Sequence, residues 1–172
     1  MPTPGTASAA AGLIAMVLLT AVVVLGIMVN RRARLPAMAR YAGRGLHRHL
    51  SLLTVGFLAV HILTALAGPF GGLGWDAVVV PFISESQRLW LGLGTVAFDL
   101  LAAIVVTSLL RRRIGRRYWR AVHWLAYVCW PVALAHSIGS GSGMRSGRLL
   151  DVAVGSVVVV VIAAGWRLAS VL

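Results

Sequence analysis

The chain has no lysine, one cysteine (Cys129) and only four acids (Asp76, Glu85, Asp99 and Asp151) among 172 residues. A single cysteine excludes an internal disulfide and any multi-cysteine metal site. Without lysine, all 16 basic residues are arginine, which reads as a coding bias as much as a functional choice. Scarce acids leave a formal net charge of +12. Such a charge raises nucleic acid as a partner, but the positions of the arginines argue against it. What is abundant is apolar: 59% of residues, against about half in a soluble domain.

The apolar residues fall into five long runs, about Ala11–Val29, His49–Ala67, Trp90–Leu110, Ala121–Ile138 and Leu149–Val171. Each approaches the roughly 20 residues that a membrane helix needs. A helix apolar all round belongs in a core or a bilayer, and five such helices leave no polar faces for a soluble shell. The first run lacks a basic leader and is followed by Arg31 and Arg32, so it reads as a retained anchor. The expected fold is all-α: an integral membrane bundle of about five transmembrane helices, residues 11–172, preceded by a disordered tail at 1–10.

Arginine counting sets the expected orientation. The link after the first run holds Arg31, Arg32, Arg34, Arg40, Arg44 and Arg48. The link after the third holds Arg111, Arg112, Arg113, Arg116, Arg117 and Arg120. The opposite side carries only Arg88, Arg145 and Arg148. Both six-arginine links are expected in the cytoplasm, with the N-terminus outside. The charge is then mainly topological, with docking to acidic lipids or a cytoplasmic partner as a secondary role. The loop Gly68 to Arg88 is partly apolar and is expected at the outer surface.

All five histidines lie on the second and fourth helices, which are parallel in this topology. His47 and His61 are 14 apart; His123 and His136 are 13 apart. Fourteen residues advance a helix by about 21 Å and return the side chain to within roughly 40° of one face. Thirteen residues turn it by about 220°, so His123 and His136 should diverge. Pro131 lies between them and is expected to kink the helix. The depths match in an inner pair, His47 with His123, and an outer pair, His61 with His136. Two imidazoles reaching one iron from opposite faces suit a haem that transfers electrons, since both axial positions are filled. Zinc fits less well, because its ligands must cluster in one shell. His49 lies about 120° from the face of His61 and reads as an interface residue, or as a substitute for His47.

These residues resemble the ferric reductase-like transmembrane domain family. It includes the membrane cores of NADPH oxidases and ferric reductases, and the haem subunit of the bacterial methionine-sulfoxide reductase system. The resemblance rests on the His47/His61 and His123/His136 spacings and on text such as "HRHLSLLTVGFLAVHILTAL" and "WPVALAH". It covers about residues 40–140 and looks like the short actinobacterial members. It implies a multi-pass protein of the plasma membrane that binds haem b, two copies or one, through His47, His61, His123 and His136. The larger relatives continue into a flavin and nicotinamide domain. This chain shows no glycine-rich nucleotide motif, so a separate flavoprotein reductase or quinol is the implied donor. The implied acceptor is ferric iron, oxygen or an outer-side redox partner; no nucleic acid is implied.

Other residues carry weaker expectations. Trp124, Tyr127, Trp130, Thr54 and Phe57 lie near the histidines and read first as packing. Gly56, Gly92 and Gly94 allow a macrocycle or a helix to approach the backbone. Asp99 sits mid-span, where a carboxylate wants a partner or a task; a structural hydrogen bond comes first and proton handling second. Arg44, Arg48 and Arg120 are candidate partners for inner propionates, and Arg88, Trp90 and Glu85 lie at the outer mouth. Two rivals stand beside the two-haem reading: a single-haem, quinol-linked subunit of a periplasmic reductase, and a non-redox scaffold or transporter.

Overall fold

The computed structural model describes residues 3–29, 37–68, 74–85, 87–140 and 147–169. It is all-α: α1 (Pro4–Val29), α2 (Ala37–Leu66), α3 (Asp76–Val79), α4 (Arg88–Leu109), α5 (Arg111–His123), α6 (Ala126–Ser140) and α7 (Gly147–Ala169). There is no strand among the described residues. Helices α1, α2, α4 and α7 are each long and apolar enough to cross a membrane. The pair α5 and α6, bent by 47°, makes a fifth span if it is counted as one. The chain is therefore a multi-pass membrane protein, as its composition requires.

The helices form two compact units, Met1–Pro69 with Gly143–Leu172, and Phe70–Ser142. In the first, α1 packs antiparallel to α2, and α7 packs on α1. The buried stripe of α1 runs Ala11, Ala15, Met16, Leu19, Val23, Ile27, with the 3–4 residue rhythm of one helical face. On α2 and α7 the outward side chains are also apolar: Leu52, Leu53, Val60 and Leu63, then Val154, Val158, Val161 and Ile162, are exposed. Such surfaces are stable where the solvent is lipid, because every helical backbone group is satisfied within its own segment. In the second unit α4 packs on α6, around Ala97, Ile104, Cys129, Trp130 and Leu134.

Two boundaries differ from the sequence reading. The tail expected at 1–10 is helical from Pro4. The Thr6 amide donates to Thr3 Oγ1 at 3.3 Å, so Thr3 caps the helix and Pro4 takes its first position, where a missing N–H loses nothing. The alanines that follow are the best helix formers. Helix α2 starts at Ala37, twelve residues before His49. Arginine is a good helix former, so the end of an apolar run is not the end of a helix, and His47 and His49 lie inside α2.

The kink expected at Pro131 falls nearly two turns earlier. Pro131 is inside α6, while the break lies at Trp124–Leu125. There the amides of Tyr127 and Val128 bond the carbonyls of Trp124 and Leu125, three residues back. A proline ring clashes with the carbonyl four residues before it, here Tyr127, which lies two residues past the break.

Helix α5 carries the second arginine cluster and has its own corner at Gly115, with φ 79° and ψ 161°. That conformation is essentially restricted to glycine. Gly115→Ala is expected to destabilise the chain by about 1–3 kcal/mol. Gly155→Ala on α7, where an added Cβ meets nothing within 4 Å, should be neutral or stabilising by up to about 1 kcal/mol. Thermal unfolding in detergent checks this, and equal midpoints for the two variants would contradict the corner.

Candidate functional site

Each unit contributes one histidine pair. In the first, His47 and His61 both turn toward α1. The ring of His61 lies over Gly12, where a Cβ would come 2.8 Å from its Nδ1. That nitrogen is 2.8 Å from the Ser8 carbonyl oxygen. The Ser8 hydroxyl closes the contact: its oxygen is 3.1 Å from Nδ1, and it donates to the His61 carbonyl at 3.1 Å. One helical turn is therefore locked to the next helix at three atoms.

His47 repeats the arrangement two heptads away, more loosely. It faces Gly26, with a would-be Cβ 3.5 Å from the ring. Its imidazole lies toward the Val22 carbonyl without the tight geometry of His61. Gly12 and Gly26 are 14 apart, as are His47 and His61. Because α1 and α2 are antiparallel, equal spacing lets both glycines meet both histidines.

In the second unit, His136 on α6 lies over Gly94 of α4, where a Cβ would come 2.7 Å from its Nδ1. This Nδ1 is 2.8 Å from the Trp90 carbonyl oxygen. Ser8 precedes Gly12 by four residues, and Trp90 precedes Gly94 by four. In a helix the carbonyl of residue i lies beside residue i+4, so a missing side chain at i+4 opens the way to that oxygen. A carbonyl can only accept. In His61 and His136, therefore, Nδ1 is the donor, and Nε2 is the nitrogen left to carry the lone pair when the ring is neutral.

His123 ends α5, across the break from His136, and its ring is 5.0 Å from that of Trp119. The rotation expected of a straight helix does not apply to this pair. His49 is exposed on α2, as its angular position implied.

The end of α4 that supports His136 is itself braced. Phe82 sits in the space left by Gly92, and Trp90 in the space left by Gly139. Arg88 Nε donates to the Phe82 carbonyl at 2.6 Å, and the Thr95 hydroxyl lies 2.8 Å from the Ala77 carbonyl. Arg88 is thus a structural brace of this loop. Phe82 and Gln87 hold positive φ, 64° and 46°, the local strain that the turn onto α4 requires.

The remaining candidates resolve as follows. Cys129 is a buried core residue whose thiol reaches the Ala97 carbonyl at 3.4 Å. Thr54 is buried and bonds back to the Leu50 carbonyl. Trp124 and Tyr127 are exposed and pack on each other at 5.1 Å, while Trp130 is core. Arg44, Arg48 and Arg120 are exposed. An added Cβ at Gly56 meets nothing. Asp99 is half-buried on α4. Sequence reasoning missed Gly12, Gly26 and Ser8; the repeated 14-residue spacing was the available signal.

The family model for the ferric reductase-like transmembrane component matches residues 10–134. The chain belongs to this family. No curated protein and no solved structure matches it. The match begins at α1, well before residue 40, and so includes both glycines that receive the α2 histidines. Membership in this ferric reductase-like family points to a membrane redox function.

The brace predicts a local effect. Thr95→Val removes a hydroxyl worth about 0.5–1.5 kcal/mol as a hydrogen bond. Amide exchange over 76–80 should speed up several-fold while α1 and α2 stay unchanged. Unchanged exchange in that segment would show that the brace does not hold it.

Proposed function

We propose that the chain is a membrane b-type cytochrome with two haems, His47 and His123 holding the inner one, and His61 and His136 the outer. The observation that carries this reading is the pair of Nδ1 bonds, His61 to the Ser8 carbonyl and His136 to the Trp90 carbonyl, both 2.8 Å. Metal-ligating histidines characteristically commit one ring nitrogen to a carbonyl in this way, which fixes the tautomer and makes the other nitrogen more basic. The donor set fits haem better than an isolated ion. Among the described residues no three histidine, cysteine or acidic side chains come together as a metal shell. Family membership supports the same reading.

Haem, when bound, would supply one-electron chemistry, and an iron held by two histidine imidazoles would favour electron transfer over oxygen binding. The protein's part is to hold imidazole geometry fixed while charge changes. The α1 and α4 carbonyls do this for His61 and His136. The apolar helices exclude water from the histidine level. The arginine clusters orient the chain with α5 in the cytoplasm and the N-terminus outside. Electrons come from a separate flavoprotein or from quinol on the inner side and leave to an outer acceptor: ferric iron, oxygen or a redox protein.

Haem quantified against independently measured protein should give a ratio near two. His61→Ala or His136→Ala should each lower it to about one while the chain still folds. A wild-type ratio near one would favour a single-haem subunit, and a colourless protein supplied with excess precursor would leave a non-redox scaffold. Orientation is checked separately in a Cys129→Ala background. A cysteine replacing Arg116 should react with an impermeant maleimide only after the membrane is opened. Labelling in intact cells would invert the topology.

A further inference from the structure

We propose that Gly12 and Gly94 are positioning residues, each a notch that admits a histidine from the neighbouring helix to a backbone carbonyl and so selects Nε2 as the ligand nitrogen. The inference deepens the haem reading and rests on it for the role of Nε2; the notch itself rests on geometry alone.

The two sites lie in different units and on different helix pairs, yet they share one construction. A ring lies over a glycine, and its Nδ1 reaches the carbonyl four residues earlier on the same helix. At both, a Cβ would come closer than 3.0 Å to the ring, a distance at which something must shift. The carbonyl is fixed in the helical ladder, so the imidazole has to move. If it moves, Nδ1 loses its acceptor, and the proton is free to settle on either nitrogen. Gly26 differs. It faces His47 in the same fashion, but a Cβ there would stand 3.5 Å from the ring, in ordinary contact. The same substitution is thus expected to displace the ring at two glycines and not at the third.

The test uses the full chain in lipid bilayers with nitrogen-15-labelled histidine, read first without haem and then after haem loading. Before loading, His61 and His136 should hold the proton on Nδ1. Gly12→Ala should shift His61 alone, and Gly94→Ala should shift His136 alone, toward a mixture of tautomers. After loading, each variant should lose about one of the two haems, or retain it with a raised midpoint potential, because the axial imidazole is less basic without its carbonyl. Gly155→Ala on α7, where an added Cβ meets nothing within 4 Å, should keep the haem content and potentials of the wild type. If Gly94→Ala fails to fold, Gly12→Ala in the other unit carries the test, and the wild-type tautomers remain a readout that needs no variant. Proton density on Nε2 of His61 or His136 in the wild type would overturn the proposal, as would unchanged tautomers in both variants. A wild-type chain that takes up no haem but shows the tautomer shifts would overturn the haem reading and leave the notch standing.

Discussion

An imidazole inside a membrane needs a polar partner, and here the partner is the backbone. In hydrocarbon no water is available to satisfy a ring N–H, while helical carbonyls have a second lone pair to offer. Reaching that lone pair requires a gap in the side-chain sheath. Gly12 and Gly94 make the gap, and the Ser8 and Trp90 carbonyls fill the need. Much of the described architecture serves these contacts. Antiparallel packing of α1 on α2 brings two glycines to two histidines, and the Phe82, Arg88 and Thr95 brace holds the turn of α4 that presents the Trp90 carbonyl.

The device also gives the histidines a direction. A ring that rotates about its own axis can present either nitrogen to a ligand. A ring whose Nδ1–H is spent on a carbonyl cannot. Such fixed orientation suits electron transfer, where ligand geometry should change little between oxidation states. It suits a proton-carrying histidine less, because both nitrogens would then need to exchange protons.

The fold class was legible because its cause is compositional: apolar runs of spanning length have few alternatives in water or lipid. The histidine faces of α2 were legible because His47 and His61 lie on one unbroken helix, where angular arithmetic holds. The same arithmetic failed for His123 and His136, since the helix breaks at Trp124–Leu125 and not at Pro131 itself. The helical start at Thr3–Pro4 was hidden by reading small polar residues as a tail, when a threonine cap followed by proline is a local start signal. The glycine notches were the hardest to read. A glycine in an apolar run signals close approach of something, but not of what, until the partner helix and its register are known. Only the matched spacing of Gly12/Gly26 with His47/His61 carried that information in the chain itself.

The measurement that bears most directly on the central claim is low-temperature electron paramagnetic resonance of the oxidised, detergent-purified protein. The proposed bis-histidine haems would give low-spin ferric signals and no high-spin component, unaltered by added azide or cyanide because two imidazoles would already be bound to the iron. A high-spin ferric signal that converts on adding such a ligand, or no haem signal at all, would contradict the account.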